Sequence, residues 1–149
     1  MYVYLHLLHL MAAAGWFGVH VANDLLACSL RRTENPLERA RAIRWLLLWA
    51  EMPLATLVPI LGLLMVALQP ALWRQGWVHI KLTTLVVLWL LMAVASLRSR
   101  RLLAALEAGD LQAFDRHWHL YLVLRVLAVL GFFLIFIAVV FRPGIPRPL

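Results

Sequence analysis

Four long apolar runs dominate the chain, at roughly 2 to 27, 43 to 69, 77 to 97 and 119 to 141, and charged residues gather in the short stretches between them. Each run exceeds the ~20 residues that an α-helix needs to cross a hydrocarbon core. In lipid every backbone amide must find its partner inside the protein, which leaves helices as the natural spanning element here. The pattern therefore predicts an all-α integral membrane protein. It is a four-helix transmembrane bundle that takes up residues 1–149 as a single domain. The first run has no basic stretch before it and continues past Ala12-Ala13-Ala14, which predicts an uncleaved anchor rather than a signal peptide.

The connections carry helix punctuation. Asn35-Pro36 reads as an N-cap followed by proline in the first turn. Gly109-Asp110 reads as a helix stop followed by a new cap. The second, third and fourth helices are expected to project beyond the apolar segments by one to three turns, and the closing RPGIPRPL is expected to be irregular.

Composition sharpens this picture. The chain is 64% hydrophobic and 14% charged, with a mean hydropathy of +0.86. A soluble domain of this length cannot hide so much apolar surface. The net charge of +7 does not signal a nucleic-acid partner, because the arginines cluster at the ends of apolar runs. Nine basic residues fall in the first and third loops, against Arg74, Arg142 and Arg147 on the other side. Positive charge favours the cytoplasmic side, so both termini are expected outside the cytoplasm, in the inner membrane of a bacterium. Trp45 and Trp49 near one surface, and Trp73 and Trp77 near the other, fit interfacial belts. Cys28 is the single cysteine, which excludes an intrachain disulfide and a thiolate metal cluster. No loop is large enough to form a catalytic domain, so any chemistry belongs between the helices.

Ionisable groups inside a span cost on the order of 2.5 to 3.5 kcal/mol each near its centre, so each needs a reason. The first span carries His6, His9, Trp16, His20 and Asp24. At about 100° per residue these five fall within an arc of about 80°, which predicts a polar seam facing the bundle. A single such histidine is readily explained by a hydrogen bond to a backbone carbonyl; three on one stripe favour a ligand. No HExxH and no cysteine pair point to zinc. Copper held by histidine and methionine stays open, with Met1, Met11, Met52, Met65 and Met92 present, although methionine in such helices more often packs. Haem suits the layout better, since facing helices offer imidazoles to iron while apolar side chains sandwich the macrocycle.

Depth selects the histidines. His6 and His9 lie about 6 and 10 Å below the start of the first span at 1.5 Å per residue, and His79 lies just inside the matching end of the third. An iron site between His9 (or His6) and His79 is therefore expected. A second site at His20 is conceivable, while His117-Trp118-His119 reads better as an interfacial belt. Lys81, the sole lysine, lies about 200° around the helix from His79 and cannot share its face. Two roles stay open for it: snorkelling to the surface, or meeting an anion brought by a ligand, such as a porphyrin propionate. Glu51 and Arg125 lie about 12 and 9 Å deep in the second and fourth spans, which lets them pair either as a structural ion pair or as a proton or propionate handle.

The stretch GWVHIKL, residues 76–82, resembles the Trp-x-His-x-Lys signature that opens the third helix of the HemJ-type protoporphyrinogen IX oxidases. His9 and Trp16 are similar to that family's first-helix histidine and tryptophan. Pro53 and Gly62 match the proline and glycine of its second helix, and Arg125 with Arg142-Pro143 resembles its last helix. The resemblance implies a haem b in a four-helix bundle and oxidation of protoporphyrinogen IX to protoporphyrin IX, with electrons passed to a membrane acceptor such as quinone. It implies His9 and His79 as iron-site residues, and Lys81 and Arg125 as polar partners of cofactor or substrate. The chain departs from the pattern in two places. VHVANDLLA stands where the family carries Leu-Pro-Arg, and RVLAVLGFF stands where it carries Asn-Glu-x-Pro. A relative that kept the haem without the porphyrinogen chemistry would look like this. The second function class is therefore a non-catalytic b-type cytochrome, an electron-transfer or anchor subunit beside a partner protein or a second copy.

Overall fold

The computed structural model describes residues 2–141; the proline-rich tail, with Arg142-Pro143 and Arg147, and Met1 lie outside the described residues. The elements run in order α1 (Tyr2–Cys28), a 3-10 turn (Leu30–Arg32), α2 (Pro36–Leu46), a π-helical turn (Leu47–Glu51), α3 (Met52–Leu68), a second 3-10 turn (Pro70–Arg74), α4 (Gly76–Glu107) and α5 (Leu111–Phe141). The π turn joins α2 to α3, so four helical stretches are long and apolar enough to cross a membrane: Tyr2–Arg32, Pro36–Leu68, Gly76–Glu107 and Leu111–Phe141. The four expected spans are all present, and no strand occurs among the described residues. The helices also run past the apolar segments at the arginine-rich end. There α2 begins at Pro36, α4 continues to Glu107 and α5 starts at Leu111.

The punctuation works as the residues suggest, with one exception. Gly109 adopts φ 69°, where a β-carbon is strained, and the Asp110 N–H reaches back to the Ala105 carbonyl (2.9 Å), closing the last turn of α4. The Asp110 carboxylate then accepts the Ala113 N–H (2.9 Å) and caps α5. Asn35 occupies the N-cap of α2, but its side chain forms no cap hydrogen bond.

The π turn has a local cause. The Met52 N–H bonds to the Leu47 carbonyl, five residues back. Pro53 follows immediately, and its ring can neither donate a hydrogen bond nor tolerate the carbonyl four residues earlier in an α-helical register. Opening one turn relieves that conflict and places Glu51 at the end of the widened turn, fully buried.

The helices pack unevenly. α4 and α5 form the most extensive pair, α1 lies against α3, and α2 packs on the lower half of α4. The backbones of α1 and α5 stand further apart and meet mainly through side chains, which leaves a gap along one side of the bundle. The interior is filled by Leu47, Leu88, Met92, Trp16 and Tyr121, whereas Val86, Leu130, Phe133 and Phe136 are turned outward. In a soluble protein that many large exposed apolar groups would drive aggregation; here they are a lipid-contacting exterior. Trp45, Trp49 and Trp73 point outward as belts require, but Trp118 of the HWH triplet is turned inward, stacked between Phe114 and Tyr121.

Candidate functional site

The polar side chains inside the bundle sort into two layers, one in each half of the spans. The layer nearer the termini is built around His9. This residue is buried on α1, and its Nδ1–H donates to the Val58 carbonyl of α3 (3.1 Å). A carbonyl only accepts, so that bond fixes the tautomer and leaves the Nε2 lone pair directed away from α3. Space for the ring comes from Gly62: a β-carbon there would stand 3.4 Å from His9 Cε1. The Nε2 atom meets Lys81 Nζ at 3.0 Å. Lys81 therefore does not snorkel; it turns inward from α4 onto a neutral imidazole, with no carboxylate among its described partners.

Beside this pair, in the gap between α1 and α5, lies a cavity of about 390 Å³. His9 and Lys81 form its polar end, and Trp16, Phe17, Phe132 and Phe136 line its walls. Its volume falls within the range of small-molecule sites, and so does its make-up of apolar walls with a few convergent polar groups. Trp16 is almost wholly buried and its Nε1–H has no partner among the described residues, so one donor at this wall is unspent. A smaller cavity of about 110 Å³ lies on the α3 side of the same His9–Lys81 pair and is bordered by His6 and Trp77.

His79 is not part of this arrangement. It is exposed, its Nε2–H donates to the Trp73 carbonyl (2.7 Å), and its ring packs edge-on against the Trp73 indole at 5.0 Å. The expected His9–His79 pair is thus corrected. The 200° separation of His79 from Lys81 holds, but the helix turns Lys81 inward and His79 outward, where it ties the 3-10 turn to the start of α4. His6 is also exposed, stacked on Tyr2. The seam of α1 faces inward only from His9 onward.

The second layer surrounds Glu51. Arg125 of α5 donates from Nη1 to Glu51 Oε1 (2.6 Å), from Nε to Asp24 Oδ1 (2.5 Å) and from Nη2 to the His20 carbonyl (2.9 Å). Glu51 also hydrogen-bonds His20 Nδ1 and accepts from Asn23 Nδ2 (3.0 Å). The Glu51–Arg125 pairing expected from depth is present, within a larger network that includes three residues of α1. A second iron site at His20 is not supported, because its Nδ1 is taken by Glu51 and its Nε2 faces Asp24 Oδ2 at 3.5 Å. Its ring rests on Phe132, which also walls the cavity of the first layer. At the mouth of α5, His119 is exposed and bonded to the Asp115 carbonyl (2.8 Å), as a belt residue would be.

Sequence reasoning identified His9, Lys81, Glu51 and Arg125 but did not join Asn23 and Asp24 to the same network. Their signal was present as the i, i+3 and i+4 positions after His20 on α1. Among the described residues no group of three or more histidine, cysteine, aspartate or glutamate side chains is disposed to hold a metal ion by itself. An iron at His9 would therefore have to arrive within a macrocycle.

Residues 3–143 match the family described as "Predicted integral membrane protein (DUF2269)", and the chain belongs to that family. No curated protein and no solved structure matches it.

Proposed function

Starting from membership of a family of integral membrane proteins, we propose that this chain is a haem-b-binding redox protein whose cofactor sits in the gap between α1 and α5. His9 is the iron ligand, and Lys81 is the counter-charge of a propionate. The observation that carries the reading is the state of His9. It is a buried imidazole with Nδ1–H tied to a backbone carbonyl and Nε2 held by Lys81 Nζ at the polar end of an apolar, aromatic-walled cavity, so that iron would take Nε2 as Lys81 swings to a propionate. His20, by contrast, is held by carboxylates on both sides. A hydrogen bond from the far ring nitrogen to a carbonyl is the usual way a protein orients a metal-ligating histidine and raises its basicity. Haem supplies one-electron transfer when bound. The residues supply the remainder: Phe132, with Phe17 and Phe136 at the lipid-facing side, would flank a flat ring, and Trp16 Nε1–H offers a donor to a polar substituent.

The resemblance to the HemJ-type oxidases extends the reading to oxidation of protoporphyrinogen IX, with electrons passed to a membrane acceptor such as quinone. In that role Lys81, Glu51 and Arg125 are the candidate polar groups of the active site. His79 drops out as a ligand, leaving one protein imidazole for the iron. The non-catalytic b-type cytochrome is favoured by α5: from Val126 to Phe141 it bears no amide, carboxylate or hydroxyl to serve substrate protons. A bacterial inner membrane with both termini outside the cytoplasm belongs to the same proposal, on the strength of the arginine distribution.

The test is an absorption spectrum of the purified protein, oxidised and reduced. A b-type spectrum that disappears in His9→Ala and persists in His79→Ala is expected. A spectrum that survives His9→Ala would sink the assignment. Added protoporphyrinogen IX then separates the two classes, because the cytochrome would keep its spectrum without oxidising the substrate.

A further inference from the structure

The Glu51 layer has a charge count that its hydrogen bonds alone do not settle. Asp24 and Glu51 contribute two carboxylates and Arg125 a single cation. Lys81, the other cation inside the spans, is engaged by His9 in the other layer. α4 adds no charged group to the hydrogen bonds of this layer among the described residues, and α5 adds only Arg125 and the unpartnered Tyr121 hydroxyl. With a neutral His20, the layer would hold one uncompensated negative charge inside a bundle surrounded by lipid, an arrangement that is strongly disfavoured. One additional proton makes it neutral.

The geometry selects where that proton resides. Glu51 is surrounded by the Arg125 and Asn23 donors and by His20 Nδ1, the environment of an ionised carboxylate. Asn23 does not titrate, and the Tyr121 hydroxyl already carries its proton. His20 Nε2 and Asp24 Oδ2 remain: Nε2 is fully buried with no hydrogen-bond partner among the described residues, and the two atoms lie 3.5 Å apart. Asp24 uses its other oxygen for Arg125, and its side chain is 24% exposed whereas those of His20 and Glu51 are 0%. It is the one charged member not sealed inside the bundle, and it lies one turn from the end of α1 at Cys28, next to the arginine-rich loop.

We infer that His20 and Asp24 form a one-proton exchange site. His20 holds the neutralising proton as an imidazolium bridging Glu51 and Asp24, and passes it from Nε2 to Asp24 Oδ2. In that step the Nε2–H bond breaks, its electron pair stays on Nε2, and an O–H bond forms on Asp24. Loss of this proton to water restores the carboxylate. The ligand of the site is a proton, and the inference stands independently of haem in the other layer.

The test uses the full chain in lipid nanodiscs with nitrogen-15-labelled histidine, the His20 resonances being identified by their loss in His20→Gln. Ring nitrogen shifts distinguish an imidazolium from either neutral tautomer. At neutral pH the wild type is expected to show His20 with both ring protons. Asp24→Asn removes one carboxylate, so Glu51 and Arg125 already balance, and His20 is expected to keep only the Nδ1 proton. Asp24→Glu is expected to restore the imidazolium. A neutral His20 in the wild type, or an unchanged imidazolium in Asp24→Asn, overturns the inference. Where Asp24→Asn does not assemble, the wild-type resonance decides alone.

Discussion

Two cations inside the bundle, one buried and one half-buried, are held in opposite ways. Arg125 directs its guanidinium at three acceptors, the carboxylates of Asp24 and Glu51 and the His20 carbonyl. Lys81 touches one neutral imidazole and borders a cavity of about 390 Å³. A saturated buried ion pair is hard to remove, because deleting either member strands the other in a low-dielectric interior. A cation whose described partner is a neutral imidazole, at the polar end of an apolar cavity, has no counter-charge among the described residues. The contrast separates a layer whose charged groups bond to one another from the layer proposed to receive a ligand.

The sharpest way to break this comparison is to exchange the arginine. Arg125→Leu should destabilise the bundle by about 3 to 5 kcal/mol, since the buried Glu51 and the partly exposed Asp24 lose their cation. Glu51→Gln, which strands Arg125 in part, should follow with a smaller loss. Thermal unfolding in detergent reads both, and an unchanged midpoint in Arg125→Leu would show that the network contributes nothing to assembly. Lys81→Met should behave oppositely, with stability unchanged or slightly raised, because a desolvated cation is replaced by an apolar chain of similar length. Its effect should appear in the spectrum and occupancy of a bound haem. A large loss of stability in Lys81→Met would erase the distinction between the layers.

Smaller changes sharpen the picture. Gly62→Ala sets a β-carbon 3.4 Å from His9 Cε1, at the near edge of ordinary van der Waals contact, so it should cost about 1 kcal/mol or less in stability and change loading of the proposed haem only slightly. Gly109→Ala should cost about 1 to 2 kcal/mol, because φ 69° is strained for any residue with a β-carbon, and it should leave both layers untouched. The smallest effect belongs to the surface pair Arg41–Glu107, both half-exposed at 3.1 Å, where Glu107→Gln should change stability by under about 0.5 kcal/mol.

The hydrophobic pattern alone determined the four spans, their short turns and the stop at Gly109, because the length of an apolar run and the conformation of a glycine are local properties of the chain. Helical phase was also enough to place His9, Trp16 and His20 on one inward stripe, and helical rise was enough to match Glu51 with Arg125 in depth. Rotation of one helix against another is a different kind of quantity. It is set by the packing of α4 on α5 and of α1 on α3, and by the gap this leaves between α1 and α5. That rotation decided that Lys81 rather than His79 meets His9. It also joined Asp24 and Asn23 to the Glu51 network, and turned Trp118 inward from the expected belt. Spacing along a helix gives the angle between two of its residues but never the direction in which the pair points; only contact with a neighbouring helix supplies that reference.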